Sequence, residues 1–184
     1  MPDLATDRLL LRAYTEADAS FLLDLHSRPD VQRWLGSGQV QTDPAQAAAR
    51  AARYAALDHP VRGIWAIADR DGGALLGTLL LKDLPASPDP VAADDPAPRD
   101  VPEEGETEIG WHLHPDAWGC GIATEAARRV LAHAADGGLA RVLAVTDPAN
   151  AASQAVARRI GMRDLGRTRA YYGTECELFR IDLP

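Results

Sequence analysis

The spacing of apolar and polar positions changes several times along the chain, and each change marks an element. Arg8–Ala13 (RLLLRA) is a short apolar run between arginines and predicts a strand. Thr15 followed by Asp18 has the spacing of a capping box, and the helix it opens carries Phe21, Leu22 and Leu25 on one face. Pro29–Leu35 predicts a short helix stopped by Gly36. Thr42-Asp43-Pro44 then opens an alanine-rich helix over Ala45–Leu57. Ile64–Ala68 and Ala74–Leu84 predict a hairpin around Asp71-Gly72-Gly73, and Gly77 inside its second arm predicts a bulge or a close contact. In Thr107–Leu113, Ile109, Trp111 and Leu113 alternate with Glu108, Gly110 and His112, a period of two that predicts a central strand ended by Pro115. Gly119 and Gly121 form a tight turn. From Ile122 the period becomes helical: Ala123, Ala126, Ala127, Val130, Leu131 and Ala134 make one stripe, closed by Gly137-Gly138. Arg141–Thr146 predicts the next strand, Asn150 caps a helix running to Ile160, and Arg163–Thr168 and Cys176–Ile181 are two strands joined through Tyr171-Tyr172-Gly173.

Composition narrows the class. The chain has 184 residues, enough for one domain with a substantial core; 46% are hydrophobic and 25% charged. No apolar run approaches a membrane span, and the opening MPDLATDR has no signal-peptide pattern, so the expected compartment is the cytoplasm. Cys120 and Cys176 form no paired motif, which speaks against a disulfide scaffold and a thiolate metal site. A net charge of −8 argues against nucleic acid as the partner. Most of that charge sits in Pro85–Glu106, where seven acidic residues face Arg99 alone. Pro85–Gly105 also holds six prolines and no aromatic residue, so a flexible loop is expected there. Its two readings are a tolerated insertion and an acidic lip that attracts a cationic amine.

A glycine turn that opens a helix gathers unpaired N–H groups at the positive end of the helix dipole, a setting for phosphate or pyrophosphate. A Walker loop is excluded because no Gly-Lys pair occurs, and Thr124 breaks the dinucleotide fingerprint.

The order of residues in PDAWGCGIATEA resembles the acyl-CoA pyrophosphate loop of the GNAT acetyltransferases, with Asp116 where Gln or Arg is usual. The opening TDRLLLR and the segment NAASQAVARRIGM resemble the same family, in its RimJ/RimL-like branch of ribosomal-protein N-terminal acetyltransferases. The resemblance spans nearly the whole chain except Pro85–Gly105. It implies a single α/β domain over residues 1–184, with a central mixed, mostly antiparallel sheet of about seven strands and about four flanking helices.

It also implies acetyl transfer from acetyl-CoA to an amine, with no metal. By resemblance, Trp111, His112 and Leu113 pair with the pantetheine arm, and Gly119, Gly121, Ile122, Ala123 and Thr124 hold the pyrophosphate. Asn150 contacts the coenzyme through its side-chain amide. Ser153, also a cofactor contact, stands in for the tyrosine that many relatives place where this chain has Ala157, and donates to the leaving thiolate. Glu108 is the candidate general base, with His112 and His114 as alternatives. Trp34, Tyr171 and Tyr172 are candidates for the acceptor side, Trp34 having core packing as its other role. An α-amine, with a reference pKa near 7.8, costs about 3.5 kcal/mol less to deprotonate than a lysine near 10.4, so a weakly basic amine is the easier acceptor. The acceptor is a peptide N-terminus or a small molecule, and a homodimer is left open. The competing class is an acyl-CoA-binding sensor without turnover.

Overall fold

The computed structural model describes residues 1–87 and 105–184. Eight strands form one sheet: β1 (Leu4–Ala5), β2 (Leu9–Ala13), β3 (Gly63–Asp69), β4 (Leu75–Asp83), β5 (Thr107–Leu113), β6 (Arg141–Thr146), β7 (Arg163–Thr168) and β8 (Cys176–Asp182). Their order is β1-β2-β3-β4-β5-β6-β8-β7. Every neighbouring pair is antiparallel except β5 and β6, which are parallel. Five α-helices flank the sheet: α1 (Ala19–Ser27), α2 (Pro29–Gln32), α3 (Pro44–Ala55), α4 (Ile122–Asp136) and α5 (Ala151–Arg159).

The sequence pattern is realised element by element. The α4 stripe predicted from period is buried throughout and packs with Leu79, Leu81 and Ile109 of β4 and β5 in the main core. The opposite face of the sheet carries a second cluster in which Tyr14, Leu22, Ala51 and Ala66 bring α1 and α3 against β3. Asp43, rather than Thr42, caps α3 by accepting from the Ala45 N–H at 2.9 Å, and Asn150 accepts from the Ser153 N–H at 3.1 Å, the cap expected for α5. Asp18 accepts from the Thr15 N–H at 2.8 Å and binds Arg12 at 2.8 Å, which fixes the start of the first helical segment to β2.

Three details differ from the sequence expectation. The sheet has one strand more, because β1 is two residues long and too short to show a period. Five helices stand where the resemblance implied about four, the short helix read over Pro29–Leu35 being counted as its own element. That segment ends at Gln32 rather than Leu35; from there Trp34 and Leu35 donate to the carbonyls three residues back, tighter than an α-helix, and Gly36 adopts a left-handed φ of 52°.

The ends of the acidic segment are anchored to the β7–β8 connection. Ser87 donates its N–H to the Ala170 carbonyl at 2.7 Å and its hydroxyl to the Arg169 carbonyl at 2.7 Å. The body of Pro85–Gly105, residues 88–104, lies outside the described residues, and the flexible-loop expectation with it.

Gly77 combines both expected roles. The β3–β4 register shifts beside it, and a Cβ built on it would lie 2.5 Å from the His112 carbonyl oxygen and 2.6 Å from Leu113 Cδ2. A neighbouring strand's backbone cannot yield that distance cheaply. Gly77→Ala is expected to lower unfolding free energy by about 1–3 kcal/mol, read as a reduced urea midpoint at unchanged m-value.

Candidate active site

The site is built around a fork. The parallel strands β5 and β6 are in register at one pair, Glu108 with Leu143. Beyond it they diverge, and among the described residues the edge of β5 from Ile109 to Leu113 has no strand partner on that side. A groove of about 1960 Å³ occupies the opening, bounded by β5, by Ala144–Asp147 of β6 and its exit, and by the starts of α4 and α5. That volume exceeds a typical small-ligand pocket of roughly 300–1,000 Å³, and suits a long cofactor beside a second substrate.

One end of the groove is the glycine turn. His114 and Pro115 leave β5 through a single 3₁₀ turn over Pro115–Ala117, and Gly119 and Gly121 take left-handed φ values of 74° and 78°. Gly121 is the N-cap of α4, and no side chain caps the helix among the described residues. The first amides of a long helix therefore face the groove without a partner. Arg8, Arg128, Arg129 and Arg159 add positive charge along the same wall. The turn is clasped by residues between β1 and β2. Arg8 reaches the Cys120 carbonyl at 3.2 Å and the Glu125 carboxylate at 2.6 Å, and Thr6 donates its hydroxyl to Glu125 at 2.5 Å. Burial works against the charged form of Glu125, but these hydrogen bonds outweigh it and hold its carboxyl below the ordinary value. Asp116, where a donor is usual in the resembling loops, is exposed and stands outside the groove lining. The amides of the turn do not depend on it.

The other end is a polar cluster at the apex of the fork. Glu108 is buried, 7% exposed at its side chain, and lies directly across from Lys82 of β4. Lys82 Nζ is 2.8 Å from Glu108 Oε1 and donates to the Tyr172 hydroxyl at 2.8 Å; the Tyr172 hydroxyl in turn donates to Glu108. Burial and the Glu108 carboxylate push the Tyr172 phenol far above its usual value, so it stays protonated and serves as a donor. On the same face of β5, burial, with help from His26, Arg50 and Lys82, lowers the His112 pKa to about 3. His26, 6.2 Å away and edge-on, is lowered to about 4 chiefly by burial. Both rings are neutral near pH 7 and are weak proton acceptors. His114 is engaged elsewhere: its Nε2 lies 3.0 Å from Asp24, and its Nδ1 accepts from the Asp116 N–H at 3.3 Å.

The fold gathers most of the residues singled out from sequence. Glu108, Trp111, His112 and Leu113 line the groove from β5; Gly119, Gly121, Ile122, Ala123 and Thr124 line it from the turn and α4. Asn150 and Ser153 line it from the start of α5, and Trp34 and Tyr172 also line it. The Asn150 cap occupies its oxygen, so the amide nitrogen is its remaining donor. Tyr171 is not brought in: it is 3% exposed, packs with Leu84, Leu143 and Leu178, and donates its hydroxyl to Glu106. Sequence reasoning missed Arg8, Glu125 and Lys82. One signal for Lys82 was in plain view: it is the single lysine among 19 basic residues. Among the described residues no group of three His, Cys, Asp or Glu could hold a metal ion.

With this geometry in hand, comparison with known proteins is informative. Residues 8–163 match the family described as the acetyltransferase (GNAT) domain. A Bacillus subtilis (strain 168) protein described as the uncharacterized N-acetyltransferase YoaA is 30% identical over 172 residues, covering 92% of this chain and 88% of its own length. A solved acetyltransferase of the GNAT family from Bacillus anthracis superposes with a TM-score of 0.77 at 19% identity, covering 98% of both chains. RimL, a ribosomal-protein alpha-N-acetyltransferase solved with coenzyme A, superposes with a TM-score of 0.76 at 18% identity, covering 99% of this chain and 98% of its own.

The uncapped turn yields a direct prediction. Gly121→Asp places a carboxylate at the helix N-terminus, in a left-handed position that aspartate tolerates better than most residues. It is expected to weaken coenzyme A binding more than about tenfold through repulsion of the phosphates, with an unchanged circular dichroism spectrum. Isothermal titration of coenzyme A into both proteins checks it; parental affinity in the folded variant refutes the assignment.

Proposed function

This chain belongs to the GNAT acetyltransferase family, and we propose that it acetylates a weakly basic primary amine, a peptide N-terminus or a small molecule, using Glu108 as the base. It is an acetyl-CoA-dependent N-acetyltransferase, and acetyl-CoA is its acyl donor. The observation that carries the residue assignments is the fork. It leaves the β5 edge free for an extended amide chain, with the uncapped α4 start at one end and a buried carboxylate at the other.

In this reading the pyrophosphate rests on the amides from Gly119 to Thr124, within reach of the arginine charges on that wall. The pantetheine arm lies along Trp111, His112 and Leu113, and the Asn150 amide nitrogen donates to the coenzyme. The thioester carbonyl then stands between the acceptor face and α5. The acceptor enters from the side of Trp34 and Tyr172. Its ammonium gives a proton to Glu108, directly or through water, and the free amine attacks the thioester carbon. The new C–N bond forms, the tetrahedral intermediate collapses, and the C–S bond breaks. The electron pair leaves on sulfur as the coenzyme A thiolate, stabilised by the Ser153 hydroxyl, and the second amine proton passes to solvent. Ser153 makes no side-chain hydrogen bond among the described residues, so its hydroxyl is available for this role. No helix among the described residues is long and apolar enough to cross a membrane, which accords with action in the cytoplasm.

Two measurements test the roles. Glu108→Gln is expected to lower kcat by about 10²–10⁴-fold while acetyl-CoA affinity stays near parental, because the base acts only in the chemical step. Ser153→Ala is expected to lower kcat more than it raises the KM for acetyl-CoA, since its hydrogen bond strengthens as charge develops on sulfur. Both are read by thiol release at saturating donor. Full turnover in either variant removes that residue from the chemistry, and absence of thiol release from the parent with every amine supplied favours the non-catalytic acyl-CoA sensor.

A further inference from the structure

Glu108 does not stand alone at the apex, and its partner is a cation. Lys82 faces the groove from β4, 38% exposed, at the position directly across the strand pair from Glu108. It contacts both the carboxylate and the Tyr172 hydroxyl at 2.8 Å, and its ammonium lies 5.2 Å from the centre of the Tyr172 ring. Tyr172 is held there in a left-handed conformation, φ 57°, the one non-glycine residue with positive φ among the described residues. The lysine is therefore held by two residues, Glu108 and Tyr172, beside the carboxylate that an acceptor nitrogen must approach.

We propose that Lys82 is a specificity-determining residue that restricts the acceptor to weakly basic amines, α-amines in preference to lysine side chains. The inference rests on the reading of Glu108 as the base of an amine acetyltransferase. An isolated glutamate at the apex would attract any ammonium and give the more basic amine the tighter ion pair. The Lys82–Glu108 pair is neutral as a unit, so an incoming ammonium meets the carboxylate with a like charge beside it. A like charge disfavours the protonated form of the bound amine. An amine that is already partly neutral in water loses little by this, whereas a lysine side chain must give up a proton it holds far more strongly.

The other ionisable groups around this face do not replace Lys82. His112 and His26 are neutral near pH 7, and Arg50 behind them is held by Gln41. Arg33 stacks over Trp34 at 4.4 Å. From β8 and the end of β6, Glu175 is paired with Arg167 and Arg169, Asp147 accepts from the Ala149 N–H, and burial pushes the Cys176 thiol up to about 11. Tyr172 stays protonated.

The experiment follows thiol release with acetyl-CoA as donor, at several pH values, for two acceptors. One is a lysine-free peptide with a free N-terminus; the other is a lysine peptide with its α-amine blocked. The parent is expected to favour the first. Lys82→Met is expected to narrow the kcat/KM ratio between the two by about tenfold and to move the rising limb of the kcat–pH profile upward by about one unit. Lys82→Gln, neutral but able to hydrogen-bond Glu108 and Tyr172, should give the same narrowing, whereas Lys82→Arg, which keeps the charge, should retain the parental preference. Coenzyme A titration verifies that each variant is folded. If a folded Lys82→Met or Lys82→Gln protein keeps both the parental ratio and the parental profile, the inference is overturned while the acetyltransferase reading stands. If the parent releases no thiol with either amine, the acceptor reading itself fails and this inference with it.

Discussion

Everything at the site depends on the incomplete pairing of β5 and β6. Parallel neighbours normally run on in register, because each further residue adds ladder hydrogen bonds. Here the register is recorded at Glu108 and Leu143 alone. β5 is held on its other side by seven paired positions with β4, and β6 by six with β8, so each strand is secured away from the fork. The two halves of the sheet can then diverge without loss of either strand. The connection between them leaves β5 through Pro115, turns at Gly119 and Gly121, and packs the whole α4 stripe beneath β4 and β5. That packing places the helix start at the mouth of the opening.

The opening has two chemically distinct ends, each maintained by contacts from elsewhere in the chain. At the anion end the amides of the turn are kept in place by Thr6, Arg8 and Glu125, a clasp between the first strand region and α4. This explains why the opening segment and the glycine turn carry the family resemblance together: the first holds the second. At the other end a buried carboxylate, an ammonium and a phenol form one hydrogen-bonded unit on β4, β5 and the β7–β8 connection. A buried charge without a partner is costly, so removing one member of the unit would leave the Glu108 carboxylate poorly compensated.

The acceptor face is otherwise short of usable bases. Two imidazoles lie on it, but burial keeps both neutral, and the third histidine considered, His114, is bound to Asp24. Glu108 is the base in the proposed reaction, and Lys82 and Tyr172 are the groups that surround its carboxylate. The Pro85–Gly105 segment begins and ends beside this apex, through Ser87 on one arm and the Glu106 carbonyl, which accepts from Leu84, on the other.

What the sequence determined by itself was local. Periods of two and of about 3.6 placed most strands and helices, Thr42-Asp43 and Asn150 announced the caps, and two glycines announced the anion turn. These signals are legible because the residues that decide them lie within a few positions of one another. Motif order supplied the family, and with it the groove residues on β5, α4 and α5. The tertiary structure alone decided the pairings. Lys82 meets Glu108 because the β4–β5 register sets them opposite, and a slip of one residue would send one of them to the other face. Arg8 meets Glu125 across more than half the chain. Tyr171 and Tyr172 are adjacent and equally plausible in sequence, yet the left-handed turn at Tyr172 leaves its ring 45% exposed in the groove while Tyr171 is buried against Leu143 and Leu178. No local pattern encodes such choices, because they are set by strand register and by the direction of a turn, and both are fixed only when distant segments pack.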